Sequence, residues 1–207
     1  MLDLSVYLIL GPDVPNPVDL VRKATAGGVG LIQWRDKGAS TADQVAAVRA
    51  LVAATSVPIL VNDRADVAVA AGAAGVHVGH GDLTPHEARM IVGDRAIVGL
   101  TIHSLEEAAA ADGAPIDYGS VGGVFETTSK HNPNPPIGLD GFTAIAERLR
   151  AAHRMPICAI AGITTDRART LAKAGADGVA VMSAITKADD PEAAAATLRR
   201  AVEEGRR

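Results

Sequence analysis

Cysteine is nearly absent. The 207-residue chain has one, Cys158, so no internal disulfide can form and a reduced, cytoplasmic setting is expected. That thiol lies in the apolar run Pro156-Ile157-Cys158-Ala159-Ile160, where it reads as a small buried hydrophobe and a poor nucleophile. Aromatic residues are only 2% of the chain while hydrophobic residues are 48%, so a core must be built from Val, Ile, Leu and Ala. Such a composition favours buried parallel strands covered by Ala-rich helices. Basic blocks are missing too: Lys+Arg number 20 against 24 Asp+Glu, for a net charge of -4. Without a basic stripe no nucleic-acid partner is expected, and any phosphate binding must be local. No run approaches the roughly 20 apolar residues of a membrane span, so no membrane partner is expected either. Met1-Leu2-Asp3-Leu4 lacks a basic segment followed by a long apolar stretch, so no signal peptide is expected.

What is present is a regular alternation. Strand-forming runs fall at 5–10, 29–34, 57–62, 75–79, 96–100, 116–120, 156–160 and 178–182. Ala-rich helical patterns fill the gaps, among them Thr41 to Ala54, Ser104 to Asp112 and Asp140 to Ala152. Ala71-Gly72-Ala73-Ala74-Gly75-Val76 and Ala174-Gly175-Ala176-Asp177-Gly178-Val179 share a form in which a glycine ends a helix and a short loop feeds a strand. A β-then-α alternation implies parallel strands with crossover helices, and eight such units close most simply into a barrel. The expected fold is therefore α/β, a single (β/α)8 TIM barrel spanning 1–207 as one domain. A doubly wound open sheet is the alternative, weakened by the lack of Gly-x-Gly-x-x-Gly after the first strand. The longest non-periodic stretch, 127–139, has the length of a functional loop such as a lid.

Barrel active sites form at the C-terminal ends of strands, so polar residues there carry the functional reading. Gln33, Arg35 and Lys37 alternate after the second strand and could face the mouth together, or form a surface salt-bridge cluster. Asp63 and Asp82 end neighbouring strands, where two carboxylates could hold one Mg2+; either could instead cap a helix. Gly162 and Met182-Ser183 lie in the loops after strands seven and eight, where barrels bind phosphate through backbone N–H groups, although ordinary turns have the same form. His77 reads as packed in its strand, and His103 as either packed or supporting the site. No Ser-His-Asp order and no zinc-spaced His/Cys cluster competes. The chemistry alone points to a Mg2+-dependent, phosphate-handling barrel enzyme.

The same motifs resemble those of thiamine phosphate synthases over nearly the whole chain. The matching pieces are Gln33-Trp34-Arg35-Asp36-Lys37, Val61-Asn62-Asp63-Arg64, Gly75-Val76-His77-Val78-Gly79 with Asp82, Gly99-Leu100-Thr101-Ile102-His103, Thr127-Thr128-Ser129-Lys130, Ala159-Ile160-Ala161-Gly162-Ile163 and Val181-Met182-Ser183-Ala184-Ile185. The resemblance implies condensation of a pyrimidine diphosphate with a thiazole phosphate, releasing diphosphate. It assigns the pyrimidine diphosphate to Gln33, Arg35, Lys37, Asn62 and Lys130, Mg2+ to Asp63 and Asp82, and a pyrimidine contact to Thr101. Thr127 and Ser129 would meet the thiazole, with Gly162, Met182 and Ser183 on its phosphate. Arg35, Lys37 and Lys130 would stabilise the departing diphosphate, so these three carry the catalytic assignment. Assembly into a homo-oligomer is left open. Trp34, Thr101, Glu126, Ser129 and Ala161 depart from the family's usual Leu or Phe, Ser, Pro, Thr and Gly. The related thiazole tautomerases, one alternative, carry a catalytic His where this chain has Gly123; a non-catalytic paralogue that binds thiamine phosphate is the other, and the intact metal and cation set argues against it.

Overall fold

The computed structural model describes residues 2–127 and 135–207. The strands, in order, are β1 (Val6–Leu10), β2 (Leu31–Trp34), β3 (Ile59–Asn62), β4 (Gly75–Val78), β5 (Ile97–Ile102), β6 (Tyr118–Val121), β7 (Ile157–Ile160) and β8 (Gly178–Val181). All pair in parallel, each with its sequence neighbour, and β8 pairs back onto β1, so the sheet is a closed barrel. The open-sheet alternative is therefore excluded. Between the strands run helices α1 (Pro17–Ala26), α2 (Thr41–Val52), α3 (Ala65–Ala71), α4 (Pro85–Val92), α5 (Leu105–Ala110), α6 (Gly138–Ala152) and α7 (Thr165–Lys173). A four-residue α8 (Ser183–Thr186) and the long α9 (Pro191–Gly205) follow β8.

The two-residue period of a strand divides the core in two. On β1, Val6, Leu8 and Leu10 join the layer between barrel and helices, whereas Tyr7 and Ile9 point into the barrel. The inner cluster also holds Leu31, Leu60, Tyr118, Cys158 and Ala180. Both of the chain's tyrosines thus sit inside the barrel, and small residues make room for them. Gly99 is the clearest case: a Cβ there would fall 2.2 Å from Tyr118 Cζ. Cys158 is fully buried in this cluster, and burial pushes its thiol pKa up to about 12, as expected of an inert packing residue.

Strand boundaries differ from the sequence pattern where helix endings intervene. Val29 N donates to Ala24 O across Gly28, whose φ is 95°, so Val29 closes α1; Gly30 N already donates to Val6 O of β1, and β2 starts at Leu31. β5, by contrast, runs on to Ile102, which puts Thr101 inside the strand and not after it.

The N-terminal face of the barrel is braced by one repeated device. Asp117 Oδ2 accepts from Val98 N at 2.7 Å and pairs with Arg89 at 2.7 Å; Asp177 Oδ2 likewise holds Ile157 N at 2.8 Å and Arg150 at 3.1 Å. Each carboxylate ties a strand start to a helix. This end lies opposite the catalytic face. Asp117→Ala leaves Val98 N without its acceptor and takes the counter-ion from the mostly buried Arg89, which keeps its bonds to the carbonyls of Gly93, Ala96 and Pro115, so it should lower stability by about 1–3 kcal/mol. Urea unfolding should register that loss while kcat/KM stays at the wild-type value.

Candidate active site

A cavity of about 1250 Å³ opens at the C-terminal end of the barrel. Of the residues singled out from sequence, Gln33, Arg35, Asn62, Thr101, Thr127, Gly162, Met182 and Ser183 line it. Ser129 and Lys130 lie outside the described residues, as does most of the expected lid. Lys37, Asp63 and Asp82 are not in the cavity wall. They gather beside it as a separate cluster, with Lys37 Nζ 3.1 Å from Asp63 Oδ2 and the Asp82 carboxyl within hydrogen-bonding reach of that of Asp63.

Backbone geometry explains the gathering. Asp63 has φ 62°, a left-handed conformation that aspartate tolerates better than most residues, and its N–H donates to His77 O at 2.8 Å. Asp82 Oδ2 accepts from Gly79 N at 2.9 Å. Neither carboxylate caps a helix: Arg64 occupies the cap position of α3 with no side-chain bond, and α4 is capped by a Thr84–Glu87 box. Partial burial, followed by the neighbouring Asp63 carboxyl, holds Asp82 above the usual carboxylate range against the pull of Gly79 N–H and Lys37. Two repelling carboxylates with Lys37 drawn onto one of them form a donor set suited to a hard divalent cation. Among the described residues no group of three or more His, Cys, Asp or Glu offers a fuller metal cage.

Arg35 behaves differently from Lys37. Half-buried in the cavity wall, its guanidinium has no ion pair or hydrogen bond to any described residue. The surface salt-bridge reading therefore holds for Lys37 but not for Arg35.

The opposite wall is built by the turns after β6, β7 and β8. Phe125 N donates to Ala161 O at 3.3 Å, tying the first two turns together. A Cβ on Gly162 would lie 2.3 Å from Glu126 O, so only glycine fits there, and its φ of 65° asks for glycine as well. Ala161, with φ 91°, sits in a region that L-residues avoid. Ala161→Gly should relieve that strain, and with the entropy of a freer unfolded chain subtracted, stability should rise by about 1 kcal/mol. A shift of the urea midpoint to higher concentration is the expected reading.

Four features of the site were not singled out from sequence. Arg167, in the first turn of α7, lines the cavity with its guanidinium carbon 4.4 Å from the Phe125 ring centroid and Nη1 2.7 Å from Gly162 O. It puts a cation beside the β7 turn and near the exposed Glu126. A cation just after the Gly162 turn was the available signal. The other three are Tyr7, Tyr118 and the bonding of His77, which form a buried chain under the cavity. Gln33 Nε2 donates to Tyr7 Oη; Tyr7 Oη lies 2.8 Å from Tyr118 Oη, and His77 Nδ1 lies 2.7 Å from the same oxygen. His77 Nε2 in turn lies 2.6 Å from Thr101 Oγ1. His77 is thus packed, as expected, but inside the barrel with both ring nitrogens bonded. His103 lines the cavity, and its backbone N–H donates to Glu107 Oε2 at 2.7 Å.

This geometry agrees with what the chain is similar to. A family model described as thiamine monophosphate synthase matches residues 6–185. The thiamine-phosphate synthase of Agrobacterium fabrum is 43% identical over 92% of this chain and 89% of its own length. That of Haloarcula marismortui is 40% identical, with both chains covered in full. The solved thiamine phosphate pyrophosphorylase from Pyrococcus furiosus superposes with a TM-score of 0.87 at 36% identity, covering 99% of this chain and 98% of that one. With a closed barrel, a family model matching residues 6–185 and relatives of this identity over nearly its whole length, the chain belongs to the thiamine monophosphate synthase family.

Proposed function

We propose that this chain condenses 4-amino-2-methyl-5-(diphosphooxymethyl)pyrimidine with 4-methyl-5-(2-phosphooxyethyl)thiazole, or its 2-carboxy form, to give thiamine phosphate and diphosphate. One observation carries the reading: a single cavity is lined by Arg35, which pairs with no described residue, and by the Gly162 and Ser183 turns, with the Asp63–Asp82 cluster gathered beside it. That is the layout two phosphorylated substrates need. Asp63 and Asp82 would hold Mg2+, whose charge, when bound, would favour departure of diphosphate. Arg35, Lys37, Asn62 and Lys130 bind the diphosphate oxygens, and the three cations stabilise charge as the C–O bond breaks. Gln33 and Thr101 hold the pyrimidine. Thr127 and Ser129 orient the thiazole so that its ring nitrogen captures the pyrimidine methylene cation, with Gly162, Met182 and Ser183 on its phosphate. No side-chain nucleophile takes part, in keeping with the buried Cys158. A reduced, cytoplasmic setting belongs to the same proposal, supported by that lone thiol; no helix among the described residues is long and apolar enough to cross a membrane.

The test is stoichiometric. With both substrates and Mg2+, one diphosphate should appear per thiamine phosphate, and omitting the thiazole should stop product formation. A tautomerase would isomerise the thiazole carboxylate phosphate without pyrimidine or metal; Gly123 has no acid–base group for that step. Isomerisation without condensation would overturn the proposal.

A further inference from the structure

The chain beneath the cavity has a direction that its own chemistry dictates. Gln33 Nε2 is a donor, so Tyr7 Oη accepts from it. The Tyr7 hydroxyl hydrogen then needs an acceptor, and Tyr118 Oη is the one other polar atom bonded to it. Tyr118 Oη, having accepted from Tyr7, must place its own hydrogen on His77 Nδ1. Both rings are almost wholly buried, so leaving either hydrogen unpaired would carry the full desolvation penalty of the group. A neutral imidazole that accepts at Nδ1 carries its proton on Nε2, and that N–H donates to Thr101 Oγ1. Thr101's own hydrogen is left over. The residue lines the cavity, so the hydrogen points to whatever ligand lies there.

We infer that Tyr7, Tyr118 and His77 are positioning residues that polarise the barrel floor, making Thr101 an obligate hydrogen-bond donor to a ring nitrogen of the pyrimidine and leaving Gln33 Oε1 to accept from its amino group. The inference rests on the proposed seating of the pyrimidine over Gln33 and Thr101. An aminopyrimidine is complementary to such a floor, because its ring nitrogens accept and its amino group donates. An oxo-pyrimidine with a protonated ring nitrogen is not, because donor would face donor at Thr101. The floor thereby selects the amino form before any contact with the diphosphate.

Two measurements test this. The first is ring 15N NMR of His77 in the ligand-free full chain, assigned by comparison with His77→Gln. A neutral ring protonated at Nε2 is expected; protonation at Nδ1 would mean that the chain runs the other way and would overturn the inference. This readout needs no turnover, so it stands even if condensation is not observed and the proposed function fails. The second is kinetic. Tyr7→Phe and Tyr118→Phe should each raise KM for the pyrimidine diphosphate by about tenfold, the value of one lost hydrogen bond, while KM for the thiazole phosphate stays within about twofold. Thr101→Val should match them, Thr101→Ser should restore the low KM, and Tyr118→Phe with Thr101→Val should be no worse than Thr101→Val alone. Additive losses, or equal rises in both KM values, would mark the tyrosines as packing residues only and would overturn the inference.

Discussion

Asp63→Asn and Asp82→Asn should each lower kcat by roughly a thousandfold, several kcal/mol of charge stabilisation at about 1.4 kcal/mol per factor of ten. Asparagine is the informative replacement at position 63, because it accepts φ 62° as readily as aspartate does, so a loss of rate cannot be laid to backbone strain. Folding should survive both changes. Each removes one of two carboxylates that repel each other, and neither residue caps a helix. A readout independent of turnover follows. A ligand that binds only the native state stabilises it by RT ln(1 + [L]/Kd), or about 2.7 kcal/mol at a hundred times Kd. Millimolar Mg2+ should therefore raise the thermal midpoint of the wild type and leave that of the Asp63→Asn variant nearly unmoved. Full turnover in excess chelator would remove the metal from the scheme altogether.

The barrel was legible in the sequence because its signals are local. Runs of β-branched residues, alternation along each strand and glycine at helix ends are read within a few residues. The errors fell where two local signals overlapped. Val29 looks like strand but finishes the Gly28 turn of α1, and Thr101-Ile102 extend β5 by two residues beyond the apparent stop. Much of the site was legible for the same reason, since barrel topology brings strand ends together whatever the sequence between them. Asp63 and Asp82, 19 positions apart, meet because β3 and β4 are neighbours. The chain through Tyr7, Tyr118 and His77 was not legible. Its members stand on β1, β6 and β4, and their contact runs across the barrel interior and not along a strand pair. Nothing in a strand's own pattern says that its inward tyrosine meets one 111 residues away. Arg167 escaped for a related reason: it is recruited to the cavity by the Phe125 ring, which the turn after β6 supplies.

Arg35 and Lys37 stand two residues apart on the same side of one strand exit, yet they should respond differently to mutation. Lys37 is 60% exposed and already paired with Asp63, so its charge is partly spent and well hydrated. Arg35 is half-buried in the cavity wall, and no described carboxylate competes for it. Its guanidinium matches a diphosphate oxygen pair bidentately, with two charge-assisted hydrogen bonds of about 1.5–3 kcal/mol each that strengthen as the leaving group gains charge. Arg35→Ala should therefore lower kcat/KM for the pyrimidine diphosphate by about 100- to 1000-fold, with a clear part of the loss in kcat. Arg35→Lys keeps the charge but not the fork, and should recover only about tenfold of that. Lys37→Ala should cost less than Arg35→Ala and act partly through Asp63, whose partner it removes. Single-turnover rates at saturating substrate and Mg2+ separate the chemical step from binding. If Arg35→Ala leaves that rate unchanged and raises KM alone, the guanidinium holds the substrate without assisting departure of the diphosphate, and the catalytic assignment moves to Lys37 and Lys130.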